Sequence, residues 1–190
     1  MHSWHNDMDR ALIEPCPSYM LYHFLNSATI KKIRSYGEID IIMTGKDLWE
    51  AFIRNNNLAD CGYGAFAFGI EADLLAHLVV IGEKTATASA YPLYKLENEP
   101  LPKVGAYSVV LDSNDNGICV IQTRKVTVVP FCEVTAKHAY KEGEGDKSLD
   151  YWREVHEKFF AECLNEVGLK FTSDMKVVCE EFSVVFKEQV

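Results

Sequence analysis

Two runs rich in β-branched and aromatic residues, 107–111 (YSVVL) and 118–129 (ICVIQTRKVTVV), flank the hexapeptide Asp112-Ser113-Asn114-Asp115-Asn116-Gly117. Such a string turns the chain, because Asp, Asn and Ser side chains bond nearby backbone and glycine accepts positive φ. Strand, turn and long strand in succession commit this stretch to a sheet. Residues 85–91 and Lys176–Phe186 have the same strand-like composition. Helical spacing lies between these runs. Over 71–80, Leu74, Leu75, Leu78 and Val79 share one stripe, which Gly82 ends. Residues 131–142 read as a short helix. Ser148 then caps an apolar face of Leu149, Trp152, Val155, Phe159, Phe160, Cys163, Leu164 and Val167, closed by Gly168. Helices inserted among strands, rather than alternating with them, predict an α+β fold with a small β-barrel. A doubly wound parallel sheet does not fit.

The chain before this region has a helical pattern with polar breaks. Thr44-Gly45-Lys46-Asp47 has the form of a capping box opening a helix over 48–54, which Asn55-Asn56-Asn57 stops. Residues 1–62 are therefore expected to form a helical extension on a domain of residues 63–190. Its apolar content, including Trp4, Tyr19, Leu21, Tyr22, Phe24, Leu25, Trp49 and Phe52, predicts that it packs against that domain.

Charge narrows the partners. Nineteen Lys and Arg against 28 Asp and Glu give a net charge of −9. Binding to duplex DNA draws on a basic surface, so that partner is excluded, whereas a nucleoside pocket or a local basic groove remains open. No apolar stretch is long enough to span a bilayer, and Met1-His2-Ser3-Trp4-His5-Asn6-Asp7 lacks the features of a secretion signal. A cytoplasmic location without membrane contact is the expectation. The six cysteines are scattered, without a CxxC pair, so reduced thiols and neither metal nor other cofactor are expected. The oligomeric state is open.

Two segments carry candidate chemistry. In Gly82-Glu83-Lys84-Thr85-Ala86-Thr87-Ala88-Ser89 a lysine precedes a threonine by three residues. A threonine hydroxyl needs a base beside it to act as nucleophile, and lysine serves as base when burial lowers its pKa. On spacing alone, a solvated lysine at a helix end and an ordinary strand threonine explain the same residues. The second segment is His138-Ala139-Tyr140-Lys141-Glu142-Gly143-Glu144-Gly145-Asp146. Glu142 falls at a helix end, where the macrodipole disfavours a carboxylate and would raise its pKa towards that of a proton donor. Glu144 and Asp146 suit charge-capping of the next helix. Trp152 reads as core, His77 and His156 as packing or surface residues. Tyr91 and Tyr94 are placed to stack on a base.

These segments resemble the ASCH domain family. The resemblance rests on Phe68-Gly69 before the Leu-rich helix, the Gly82–Ser89 segment, and Pro130-Phe131-Cys132-Glu133-Val134-Thr135. The acidic loop ending at Asp146, Ser148-Leu149-Asp150-Tyr151-Trp152-Arg153-Glu154-Val155-His156 and Phe159-Phe160 complete it. It extends from about Phe66 to the C-terminus and implies a PUA-like β-barrel, a fold associated with RNA binding, with a cleft beside it. Gly82 and Lys84 match the family's Gly-x-Lys-x-x-Glu-x-Arg motif, while Thr87 stands in place of its glutamate and Ser89 in place of its arginine. A bacterial branch that hydrolyses 4-acetylcytidine is similar at Lys84 and Thr87, and His138-Ala139-Tyr140-Lys141-Glu142 matches the run that ends in its glutamate. The resemblance thus implies catalytic roles for Lys84, Thr87 and Glu142. Thr85, Ser89, Tyr91, Glu144 and Asp146 are the expected substrate-binding residues. The implied partner is a modified nucleoside or a short single-stranded RNA. The alternatives are a non-catalytic RNA- or nucleotide-binding module and a single-stranded RNA ribonuclease.

Overall fold

Residues 43–187 are described by the structure, a computed structural model. Five strands, β1 (Gly64–Ala67), β2 (Ala86–Ala90), β3 (Tyr107–Leu111), β4 (Gly117–Pro130) and β5 (Lys176–Phe186), pair in the order β1-β3-β4-β5-β2. The β1–β3 pair is parallel and the other neighbours are antiparallel. β4 and β5 run together from Val120↔Phe186 to Pro130↔Lys176, with register shifts at Val120/Ile121 and Thr123/Lys125. Bulges of this kind bend a strand and increase its twist, which curves the sheet into an α+β half-barrel. The turn before β4 forms as its composition predicts: Asp112 Oδ1 accepts from the backbone N–H groups of Asn114 and Asn116, both at 2.8 Å.

Three strands match the sequence expectation closely. The run at 85–91 yields only the five residues of β2, because α3 (Tyr91–Leu96) takes over with proline in its first turn. Tyr91 is therefore a helical residue. The short β1 carries no strand signature of its own; its partner β3 supplies the ladder.

Helix α1 (Gly45–Asn55) begins with the expected capping box, in which Thr44 and Asp47 satisfy each other's backbone N–H groups. Its Leu48, Trp49 and Phe52 are buried with Val109 and Leu111 of β3 and Val120 of β4. This end of the expected extension is thus core. The apolar residues expected to pack before residue 43, and Cys16, lie outside the described residues. In α2 (Ala72–Val80) the buried face centres on Leu75, Ala76 and Val79, whereas Leu74 of the expected stripe is 49% exposed. The single helix expected over 131–142 is two pieces. A 3-10 turn at Phe131–Glu133 ends at the extended Val134, and Thr135 then caps α4 (Ala136–Glu142). Helix α5 (Leu149–Glu166), capped by Ser148, buries Trp152, His156, Phe160, Cys163 and Leu164. Trp152, Phe160 and Leu164 join Phe131, Ala139, Val177 and Cys179 in one cluster between helices and sheet.

Cys61, Cys119, Cys132 and Cys179 carry free thiols. Among the described residues no helix is long and apolar enough to cross a membrane.

Phe52 is 3% exposed and touches the rings of Trp49, Tyr107 and Phe186. Phe52→Ala is expected to lower the unfolding free energy by about 3–5 kcal/mol in urea titration. A loss below about 1 kcal/mol would mean that α1 is not part of the core.

Candidate active site

Gly82, at φ +79°, ends α2 and turns the chain towards β2, so that Lys84 points inward between helix and strand. Thr85 fastens this turn to its neighbours. Its N–H donates to Lys141 of α4 at 2.7 Å, and its carbonyl accepts from Phe182 of β5 at 2.9 Å. The end of α4 comes equally close. A Cβ on Gly143 (φ +75°) would lie 2.3 Å from the Glu83 carbonyl oxygen, and one on Gly145 would lie 2.4 Å from the Tyr151 ring. Glycines on either side of Glu144 therefore let the loop lie flat on the Lys84 turn and on α5. The Gly-Glu-Gly pattern is a packing requirement of the site.

Lys84 is 1% exposed. Its Nζ donates to Glu142 Oε2 at 2.9 Å and to Glu144 Oε1 at 2.6 Å, and lies 5.2 Å from the centre of the Phe68 ring. Glu142, also 1% exposed, is caged. Its Oε1 accepts from Trp152 Nε1 at 2.7 Å and lies 3.1 Å from His138 Nε2, a charge contact rather than an aligned hydrogen bond. On the other side, His156 Nε2 is 3.6 Å from Oε2.

Both pKa expectations for this pair are reversed. Burial does work against the Lys84 cation, but the Glu142 and Glu144 carboxylates outweigh it and raise the ammonium above its ordinary value. Burial and the helix end would both push Glu142 upwards. Lys84, His156 and His138 instead hold its carboxyl well below the usual range. The reason is magnitude: the macrodipole places roughly half a charge at a helix end, whereas Lys84 places a whole one within hydrogen-bond distance. At rest the pair is ammonium and carboxylate. For His138, burial lowers the pKa, yet contact with Cys179 and Glu142 takes it to about 9.

Lys84, Thr87, Ser89, Glu142 and Glu144 all line one cleft beside the sheet. The cleft opens to solvent. Its apolar walls include Phe68, Leu93, Val155 and Phe159. Glu97 and Glu99 add two carboxylates. Three of the expected binding residues lie elsewhere. Thr85 is spent on the α4 contact, the Tyr91 ring faces Lys176, and Asp146 accepts from the Ser148 N–H just before α5. Asp146 serves the helix start, while Glu144, open to the same expectation, turns to Lys84. Tyr94 is the tyrosine in the cleft; its hydroxyl pairs with Ser89 Oγ at 2.8 Å, and burial pushes it up to about 12.

Sequence reasoning missed His156 and the hydrogen bond from Trp152. Both lie on the apolar stripe of α5, one turn apart, which reads as core. The i,i+4 pairs His138/Glu142 and Trp152/His156 were the available signal. Among the described residues no group of three or more His, Cys, Asp or Glu side chains is arranged to hold a metal; the space between Glu142 and Glu144 is filled by the Lys84 ammonium.

The family model of the ASCH domain matches residues 64–186, the stretch that contains all five strands, the cleft and the buried pair. The chain belongs to the ASCH domain family. Two solved structures are similar to it. The ASCH domain from Lactobacillus crispatus JV V101 is 33% identical, with 74% of this chain and 93% of that chain covered and a TM-score of 0.68. Protein EF3133 from Enterococcus faecalis V583 is 38% identical, with 74% and 86% covered and a TM-score of 0.68. No curated protein matches the chain. The PUA-like architecture implied by the sequence resemblance is thus that of this ASCH domain.

Two stability predictions follow from the cage. Lys84→Met strands two carboxylates that now pair with it, and should cost about 3–5 kcal/mol in denaturant unfolding. A cost near zero would contradict the buried pair. His138, raised from 6.5 to about 9 in the fold, stabilises fully below pH 6.5 and progressively less as pH rises to about 9. Glu142, lowered from 4.5, acts in the opposite sense: its contribution is complete above that pH and fades as acid protonates it. Thermal melting should therefore weaken between pH 6.5 and 9, and His138→Gln should flatten that limb. An unchanged alkaline limb in the variant would contradict the assignment.

Proposed function

We propose that this ASCH domain is a small hydrolase that removes an acyl group from a modified nucleoside such as 4-acetylcytidine, using Lys84, Thr87 and Glu142. One observation carries the proposal: Lys84 and Glu142 sit 2.9 Å apart in the cleft that also presents the Thr87 side chain. Transfer of one proton from Nζ to Oε2 converts the resting ion pair into a neutral amine and a neutral acid. A substrate that displaces water from the cleft weakens solvation of the charges and favours this transfer.

The neutral amine of Lys84 then takes the proton of the Thr87 hydroxyl as Oγ1 attacks the acetyl carbonyl. Glu142 gives its proton to the departing cytosine amino nitrogen, which breaks the C–N bond. Lys84 is again ammonium and Glu142 carboxylate, and the acetyl group is an ester on Thr87. Water cleaves that ester and releases acetate. Ser89, Tyr94 and Glu144 are polar groups of the cleft that can orient the nucleoside.

The charge of the cleft favours this reading over the RNA-binding module and the ribonuclease. Four carboxylates, from Glu97, Glu99, Glu142 and Glu144, share it with Lys84. They repel a phosphate backbone and leave Lys84 no free charge to offer it, whereas an uncharged nucleoside meets no such penalty.

The test is release of cytidine from 4-acetylcytidine, followed by chromatography. The wild-type protein should release it, and Thr87→Val, which keeps the side chain's shape, should lower the rate by about 100-fold or more. No release by the folded wild-type protein, or full activity in Thr87→Val, would contradict the proposal.

A further inference from the structure

The mechanism above leaves His156, which lines the cleft beside Glu142, unused. Four donors from three parts of the fold face the Glu142 carboxylate: Lys84 from the turn after α2, His138 from α4, and Trp152 and His156 from α5. Glu144 faces it only across Lys84, and Cys179 of β5 reaches it only through His138. Of the two imidazoles, His156 lines the cleft and His138 does not.

The geometry of His156 restricts what it can do. Nδ1 lies 2.9 Å from the Trp152 carbonyl oxygen. A carbonyl only accepts, so Nδ1 carries a hydrogen and Nε2 is the nitrogen free to gain or lose one. The ring is stacked on the Trp152 indole at 4.2 Å and 18°, with the edge of Phe160 5.6 Å away, which holds it in this orientation. Nε2 is 3.6 Å from Glu142 Oε2, the same oxygen that receives the Lys84 ammonium.

We propose that His156 is the positioning residue of this site, passing protons between the cleft and Glu142 Oε2 and so setting the charge of the Lys84–Glu142 pair. The proposal rests on the hydrolase reading for its consequence, because the charge of that pair decides whether Glu142 can protonate the leaving amine. Its balance is simple. Nε2 takes up the proton that Lys84 has given to Oε2, leaving imidazolium beside carboxylate. It can exchange that proton for another from water in the cleft, and hands it back to Oε2, leaving the bare ring beside the acid. Lys84 is the neutral amine in both forms, so it can still take the Thr87 proton. His156 does not touch the reacting carbonyl and acts through Glu142.

The first test needs no substrate. In nuclear magnetic resonance titrations of the wild-type protein, the Glu142 carboxyl carbon should show an inflection at the pH where His156 Nε2 titrates. Glu142→Gln should shift the His156 titration. Two curves with no shared inflection, or a His156 titration indifferent to Glu142→Gln, would overturn the proposal. The second test is kinetic. His156→Gln keeps an amide donor near Oε2 but cannot exchange a proton. It should lower kcat about tenfold or more, leave KM nearly unchanged and remove one limb of the pH profile. A wild-type kcat and pH profile in His156→Gln would show that the ring only packs and donates. The two readings fail differently. Coupled titration in a protein that releases no cytidine contradicts the hydrolase and leaves the proton link standing. Uncoupled titration in a protein that does release it contradicts the link alone.

Discussion

The ammonium group of Lys84, held out of water between the carboxylates of Glu142 and Glu144, joins the turn after α2, the end of α4 and the loop into α5. Removing a charge from water costs several kcal/mol, and only close opposite charges and hydrogen bonds offset that cost. The surrounding structure supplies them. Gly143 allows the loop to reach the Glu83 carbonyl, Thr85 ties the turn to Lys141 and Phe182, and Trp152 donates to the far side of Glu142. Each of these features would be unremarkable alone; together they form the floor of a cleft.

Strands and turns were legible because their signals are local. β-branched runs and the Asp/Asn/Gly turn determine β3, β4 and β5 within short windows, and the Thr44–Asp47 box marks the start of α1. The burial face of α2 and the break at Val134 were not legible, since both depend on which part of the sheet lies opposite. The site shows the same division. Residue types and spacing left Lys84, Thr87, Glu142 and Glu144 open to ordinary structural roles, and it was the family resemblance that singled them out. The charge states of Lys84 and Glu142 were misjudged, because burial and helix-end effects can be read along the chain while a partner 58 positions away cannot. Thr85, Tyr91 and Asp146 were grouped with the site by their proximity in sequence. Backbone pairing at Thr85, the start of α3 at Tyr91 and the start of α5 near Asp146 give them other partners.

His156 illustrates the converse. On a helical wheel it belongs to the apolar face of α5, and its neighbours Trp152 and Phe160 are indeed core. What distinguishes it is the gap between α5 and the β2 edge, which leaves this part of the buried face looking into the cleft rather than onto the sheet. A polar residue on an apolar helix stripe is therefore worth testing against the end of the neighbouring helix, here the carboxylate of Glu142.

The central claim is that Lys84 rests as an ammonium ion paired with Glu142, and nitrogen-15 spectroscopy of the lysine side chains tests it most directly. Near neutral pH the Lys84 Nζ should give an ammonium resonance, protected from exchange with water, that shifts in Glu142→Gln while the exposed lysines do not. An amine resonance for Lys84, or one that exchanges with water as fast as the surface lysines and ignores Glu142→Gln, would contradict the account.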